Sequence, residues 1–255
     1  MIYFDSHAHL DEACFQADFG EILHRMQENG VCLMMNVGCD LPSSIRSVEL
    51  AARYDWIYAA VGSHPDDADH VNEERIARYR ALAQDPKVRA IGEIGLDYHY
   101  EDVPRQVQKA AFRMQLALAQ ELGKPVIIHE REAHEDALEI LREFPNVTGV
   151  FHCFSGSAEM AKELVKKGWY IGFTGVLTFK NARKAVQTAQ SIPLERILIE
   201  TDCPYMSPEP YRGRRNDPGY VPLVCRKLAQ LREISEEQAA AITTRNAKQL
   251  FGIEG

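Results

Sequence analysis

Eight apolar, β-branched runs alternate along this chain with stretches of helical periodicity, and that alternation restricts its fold more than any other feature. The runs are Ile2 to His7, Cys32 to Gly38, Ile57 to His64, Val88 to Asp97, Pro125 to Arg131, Gly149 to Ser155, Gly168 to Gly175 and Ile197 to Pro204. Between them lie one-sided helical patterns such as Ile22-Leu23-Met26, Val107-Ala111-Met114-Leu118 and Met160-Leu164-Val165. Continuous apolar runs suit strands buried on both faces, and strands joined through helices must run parallel. Eight such units predict an α/β protein of the (β/α)8 TIM-barrel class, with an open doubly wound sheet as the alternative. Ser235 to Phe251 reads as a last helix, closed by Gly252 and lying on the outside. No linker, low-complexity block or second repeat interrupts the pattern, so residues 1–255 are expected to form a single domain.

The composition is that of a soluble globular chain, 45% hydrophobic and 26% charged, with no apolar tract of membrane-spanning length. Met1-Ile2-Tyr3-Phe4-Asp5 lacks the basic start and apolar stretch of a signal peptide, which predicts a cytoplasmic location. The six cysteines, Cys14, Cys32, Cys39, Cys153, Cys203 and Cys225, contain no C-x-x-C pair and are read as reduced. Cys153 and Cys203 each follow a candidate ligand; on a strand they would face the opposite side and serve as small core fillers. A net charge of -8 excludes a wholly basic nucleic-acid-binding surface, so any contact with a polyanion must be local.

Candidate metal ligands stand at or near the ends of these runs. His7 and His9 lie two apart on the first, which on extended backbone is one face. Glu93 sits inside the apolar stretch Ala90-Ile91-Gly92-Glu93-Ile94-Gly95-Leu96-Asp97, where an ionised carboxylate is costly unless a cation meets it. His129 follows Val126-Ile127-Ile128, His152 follows Gly149-Val150-Phe151, and Asp202 follows Ile197-Leu198-Ile199-Glu200-Thr201. Any one of these alone reads as a satisfied core group or a cap. Together, at the carboxyl ends of barrel strands, they are expected to converge on the face where chemistry occurs. Six nitrogen and oxygen ligands exceed one tetrahedral ion with an open position, so two divalent ions are expected: zinc, manganese or magnesium. The expected division gives His7, His9 and Asp202 to one ion and His129 and His152 to the other, with Glu93 shared. Asp5 and Glu200 share face parity with His7 and Asp202 and are read either as groups that hold the ligands or as solvated ends and core ion pairs.

With those residues in view, the chain strongly resembles the TatD family of metal-dependent deoxyribonucleases, within the amidohydrolase-like barrel group. The matching blocks are Asp5-Ser6-His7-Ala8-His9-Leu10-Asp11, Gly62-Ser63-His64-Pro65, Gly92-Glu93-Ile94-Gly95-Leu96-Asp97-Tyr98 and Ile128-His129-Glu130-Arg131. They continue through His152-Cys153-Phe154-Ser155-Gly156, Gly172-Phe173-Thr174-Gly175, Glu200-Thr201-Asp202-Cys203-Pro204-Tyr205 and Arg212-Gly213. The resemblance implies a (β/α)8 barrel in which His7, His9, Glu93, His129, His152 and Asp202 bind divalent ions for phosphodiester hydrolysis. Ala8, Ser63, Cys203 and Tyr211 depart from the residues usual in the family at those places, and none of them is a ligand. Tyr211, in the loop before Arg212-Gly213, bears on how substrate is held.

The expected reaction is cleavage of DNA or an oligonucleotide, from an end, by a hydroxide activated by two divalent ions. Asp202 is the expected general base, Glu93 joins it in the catalytic centre, and His64 is the candidate for contacting the scissile phosphate or leaving oxygen. Because Pro65 follows, a plain strand-ending turn is the competing reading of His64. Arg105, Lys109, Arg131, Lys180, Arg183, Arg212, Arg214 and Arg215 all follow strands and can form a local positive rim. Among them Arg131 and Arg212 are the expected phosphate contacts; Lys109 and Arg183 read as ordinary helix charge. Tyr98 and Tyr205 are candidates for stacking on bases or for packing the rim. The alternative keeps the metal site and changes the bond, to amide or ester hydrolysis, including an aminoacyl ester on transfer RNA. A structural metal in a binding protein ranks last, since such sites are closed and four-coordinate. No membrane association and no obligate protein partner are expected.

Overall fold

A computed structural model describes residues 1–100 and 102–254. Among the described residues the strands are β1 (Tyr3–Ala8), β2 (Val31–Val37), β3 (Ile57–Val61), β4 (Val88–Asp97), β5 (Val126–Arg131), β6 (Gly149–Phe151), β7 (Tyr170–Phe173) and β8 (Ile197–Ile199). The α-helices are α1 (Phe19–Glu28), α2 (Leu41–Arg53), α3 (Glu73–Leu82), α4 (Arg105–Leu122), α5 (His134–Glu143), α6 (Ala158–Lys166), α7 (Arg183–Ser191), α8 (Val221–Arg232) and α9 (Glu236–Phe251). The strands form one sheet in the order β1-β2-β3-β4-β5-β6-β7-β8, the order of a (β/α)8 barrel. The pairs β3–β4, β4–β5, β5–β6 and β7–β8 are parallel. Beyond its last residue β8 returns to β1: the Asp202 N–H donates to the His7 carbonyl at 2.8 Å, and the His9 N–H to the Cys203 carbonyl at 2.9 Å. An open doubly wound sheet would leave those two ends apart.

The chain divides into two compact units, Met1–Met35 with Cys153–Gly255, and Asn36–His152. In the first, α9 packs on β1 and β8. Phe4 and Phe251 meet at 6.1 Å, the Tyr3 hydroxyl donates to Glu236 at 2.8 Å, and the Asn246 amide donates to the carbonyls of Leu194 and Ile197 at 2.8 and 2.9 Å. Ser235 caps α9, accepting from the Gln238 N–H while the Gln238 side chain accepts from the Ser235 N–H. Such a reciprocal cap contributes about 1 kcal/mol. Gly252 ends the helix at φ 60°, a left-handed turn that glycine adopts without penalty.

In the second unit β4 is buried along nearly its whole length, and α4 lies against it with Ala111, Phe112, Leu116, Leu118 and Ala119 inward. Val107 and Met114 are only half-buried, so the inward face of α4 is turned slightly from the one its apolar spacing suggests. At Gly95 an added Cβ would lie 1.9 Å from the His129 carbonyl oxygen, so this approach of β4 to β5 requires glycine.

Several strands stop earlier than the apolar runs do. β3 ends at Val61 rather than His64, β6 at Phe151 rather than Ser155, β7 at Phe173 rather than Gly175, and β8 at Ile199 rather than Pro204. His64, His152 and Asp202 therefore stand in the turns just past the strands. Pro65 opens a 3-10 turn for which His64 is the N-cap, and Cys153 and Asp202 take φ values of 41° and 56°, which break extended pairing. The strand-parity argument for Cys153 accordingly does not apply: it is in a turn, its thiol 3.5 Å from the Thr174 hydroxyl. Cys203 is fully buried, and burial pushes its thiol far up, as expected of a core filler. No described helix is long and apolar enough to cross a membrane.

Candidate metal centre

In the unit that carries β1 and β8, three ligand atoms face one another. His7 Nε2 and His9 Nε2 are 3.2 Å apart, and Asp202 Oδ1 lies 3.7 Å from the first and 3.5 Å from the second. Around an ion with bonds of about 2.1 Å, tetrahedral ligands are about 3.4 Å apart. The three atoms thus have the mutual spacing a small divalent ion needs, and two imidazoles with a carboxylate suit zinc or manganese. His7 and His9 reach one side because β1 is extended to Ala8. Asp202 reaches it from a left-handed turn that Asp tolerates better than most side chains.

Two buried carboxylates hold this join. Asp5 accepts from the Thr201 N–H at 2.9 Å, from the Thr201 hydroxyl at 2.5 Å and from the His7 N–H at 3.4 Å. Burial pushes its carboxyl up to about 8, against the pull of those hydrogen bonds. Glu200 accepts from the Cys153 N–H at 2.6 Å and the Ser6 hydroxyl at 3.1 Å. Of the two readings the sequence allows, these contacts make both residues braces rather than solvated ends. Glu200 fits because position 172 is glycine: a Cβ there would lie 2.6 Å from Oε2. Asn216, which the sequence did not single out, is fully buried and donates to the carbonyls of Thr201 and Tyr205 at 2.7 and 2.5 Å, tying the following loop to the Asp202 turn.

On that loop Tyr205 is 53% exposed, its ring edge-on to His9 at 6.3 Å. Arg212 is exposed and lies over the Phe179 ring at 4.2 Å. Tyr211 stacks on Tyr220 at 4.4 Å with the rings 4° from parallel, so it packs the loop. Arg215 is ion-paired with Asp18, whereas Lys180, Arg183 and Arg214 are exposed.

In the unit carrying β3 to β6 a second set gathers about Glu93, which is 3% exposed. Its Oε1 is 2.8 Å from His129 Nδ1, 2.7 Å from His152 Nε2 and 3.9 Å from His64 Nε2; His129 Nδ1 and His152 Nε2 are 3.2 Å apart. The other ring nitrogen of His129 lies 3.0 Å from Asp97 Oδ2. A carboxylate behind a histidine orients the ring and strengthens it as a ligand. Asp97 was missed as a functional residue, although it lies four positions after Glu93 on the same strand and hence has the same face parity. Burial works against charge on His129, but Asp97 and Glu93 on its two nitrogens outweigh it and push the ring up to about 10. An ion binding Nδ1 would take the place of that proton.

His64 is positioned beside this set. Its Nδ1 accepts from the Asp66 N–H at 3.2 Å, which leaves Nε2 on the side of Glu93, and its ring meets His129 edge-on at 4.2 Å. The turn explanation and the functional one thus hold for the same residue. Tyr98 is engaged by its neighbours: its hydroxyl donates to Asp136 at 2.6 Å and Arg105 covers its ring at 4.3 Å. Lys109 pairs with the same Asp136 at 2.6 Å. The exposed aromatic of this rim is Tyr100, over which Arg131 lies at 5.2 Å.

Comparison with known proteins gives a consistent result. Residues 4–252 match the family described as TatD related DNase. The chain is 47% identical over 252 residues to a Bacillus subtilis (strain 168) protein named as an uncharacterized metal-dependent hydrolase, YabD, covering 98% of this chain and 99% of that one. It is 35% identical over 258 residues to a Klebsiella pneumoniae (strain 342) protein named 3'-5' ssDNA/RNA exonuclease TatD, covering 98% of each. The crystal structure of the TatD homologue YJJV from Escherichia coli K12 superposes with a TM-score of 0.92 at 30% identity, covering 99% of this chain and 98% of that one.

Proposed function

Because the chain belongs to the TatD family of metal-dependent hydrolases, we propose that it cleaves phosphodiester bonds in single-stranded nucleic acid, from an end, with two divalent ions. The observation that carries this reading is the presence of two ligand sets, each of three facing nitrogen and oxygen atoms. His7, His9 and Asp202 hold one ion; Glu93, His129 and His152 hold the other. Bound there, divalent ions supply a water of lowered pKa and neutralise phosphodiester oxygens as charge develops.

The side chains do the rest. Asp202 both ligates and receives the proton of the attacking water. His64, with Nδ1 occupied by the Asp66 N–H, has Nε2 available to donate to a phosphate oxygen or the leaving oxygen. Asp97 keeps the His129 ring turned toward Glu93. Arg131 and Arg212 hold phosphates away from the scissile bond, and Tyr205, with half its surface open, offers a face to a base. Tyr98 shapes the rim through Arg105 and Asp136, and Tyr100, half exposed beneath Arg131, adds an aromatic surface to it.

The deciding experiment strips the protein with a chelator and reconstitutes it with zinc, manganese or magnesium. It is then given end-labelled single-stranded DNA and RNA beside a panel of small esters and amides. Metal-dependent shortening of the oligonucleotides supports the nuclease reading. Turnover confined to the small esters or amides replaces it with the other hydrolase reading.

A further inference from the structure

Helix α4 carries two glutamines on its inward face, Gln108 and Gln115, 2% and 1% exposed. They are seven residues apart, two helical turns, and so lie one above the other. A primary amide buried in an apolar face is costly unless both of its polar ends are bonded. Here they are, and in one repeated pattern. Gln115 Oε1 accepts from the Ser63 N–H at 2.7 Å while its Nε2 donates to the Ser63 carbonyl at 3.0 Å. Gln108 Oε1 accepts from the Asp97 N–H at 2.9 Å while its Nε2 donates to the Asp97 carbonyl at 2.9 Å and the Val103 carbonyl at 3.0 Å.

Each amide therefore engages both backbone groups of one residue, as a neighbouring strand would. It does so where that strand is missing. The β3–β4 pairing stops at Val61 opposite Ile91, so Ser63 lies beyond the end of β3, and Asp97 closes β4 with β5 as its paired neighbour. Both clamped residues lead straight to the chemistry. Ser63 precedes His64, and Asp97 is the carboxylate on His129 Nε2. Two leucines would fill the same space without the cost of burying amides, but would leave the N–H and carbonyl of Ser63 and of Asp97 without these partners.

We propose that Gln108 and Gln115 are positioning residues, through which α4 sets the Asp97–His129 pair for metal binding and His64 for contact with the substrate. The proposal rests on the reading of Glu93, His129 and His152 as ligands of an ion.

The test for Gln108 needs no substrate. Cobalt(II) is titrated into the stripped protein and followed by its visible absorption, with total metal measured in parallel. Gln108→Met should weaken one of two ions by about tenfold or more, the scale on which groups behind metal ligands act. The same substitution made on top of Asp97→Ala should have little further effect. If Gln108→Met does not fold, Gln108→Glu, which retains the acceptor for the Asp97 N–H, is titrated in its place. For Gln115, Gln115→Met should lower kcat on a small activated phosphodiester several-fold with KM and metal content unchanged, and should add little to His64→Ala.

Lowered melting temperatures with unchanged cobalt affinity and unchanged kcat would make the glutamines scaffold only and overturn the proposal. So would effects fully additive with Asp97→Ala and His64→Ala. Cobalt binding left unchanged by both His129→Ala and His152→Ala would overturn the metal reading, and the proposal with it.

Discussion

The backbone N–H of Asp202 donates to the carbonyl of His7 at 2.8 Å, so two residues of the same candidate ion site are also joined through their main chains. Their separation is thereby fixed before any ion arrives, which is the preorganisation a metal centre needs.

Asp202→Asn should leave that backbone bond, and the fold, in place. It removes the charge proposed to hold an ion and the group proposed to accept a proton, and a general base contributes roughly 100- to 10,000-fold. Oligonucleotide hydrolysis should fall by at least the lower figure, with the melting temperature of the metal-free protein little changed. Activity near the parent level would remove Asp202 from the role of base.

Glu93→Ala tests the expectation that this carboxylate serves both ions. If it is shared, metal analysis should show both ions lost from a protein that remains folded. Retention of one ion would confine Glu93 to the set with His129 and His152, and retention of both would exclude it as a ligand.

The His129 ring, raised to about 10, gives the centre a pH dependence. Relative to an unfolded histidine near 6.5, its protonated form stabilises the metal-free protein fully below about pH 6.5, and that contribution is lost as pH rises through about 10. The ion competes with the same proton, so apparent metal affinity should climb by about tenfold per pH unit between about pH 7 and 10. Calorimetry in buffers of different ionisation enthalpy should show proton release. Asp97→Asn should lower the pH at which the climb ends.

Arg131→Ala and Arg212→Ala should each weaken oligonucleotide binding and reduce the slope of log affinity against log salt by about one, because one fewer counterion is released. Hydrolysis of a small activated phosphodiester should suffer less, since only remote binding energy is removed. Equal losses on both substrates would move the arginine to the reacting phosphate.

Gly172→Ala should destabilise through Glu200. The added Cβ would come within 2.6–2.9 Å of the carboxylate, which also holds the Cys153 N–H. Overpacking of this kind costs about 1–3 kcal/mol. A melting temperature unchanged from the parent would show that Glu200 can give way.

The sequence made the barrel legible through its alternation, and singled out Glu93 as a candidate through the cost of placing a carboxylate in apolar surroundings. Its precision failed where strand character ends. Gly175, Cys153 and Pro204 sit in runs that look extended, yet positive φ at Cys153 and Asp202 and the 3-10 turn after His64 end the strands early. Those features depend on backbone conformation, which side-chain pattern does not encode. Asp97 was legible in principle from its parity with Glu93. Gln108, Gln115 and Asn216 were not, because a glutamine or asparagine on an apolar face carries no mark of the carbonyl it will meet, whether that lies 5 positions away, as Val103 does from Gln108, or 52, as Ser63 does from Gln115.

The division of the chain into Asn36–His152 and a unit drawn from both of its ends bears on the order in which the ligands are assembled. Glu93, His129 and His152 belong to one continuous stretch and can come together while later residues are still being synthesised. The Asp5–Thr201 brace closes a separation of 196 positions, so His7 and His9 must wait until residue 201 has been made. During refolding, amide protection should therefore appear at Ile127 and Ile128 before it appears at His7. A nascent chain exposed to metal would then meet His129 and His152 as a set first, while His7 and His9 stay without Asp202 until residue 202 has been made.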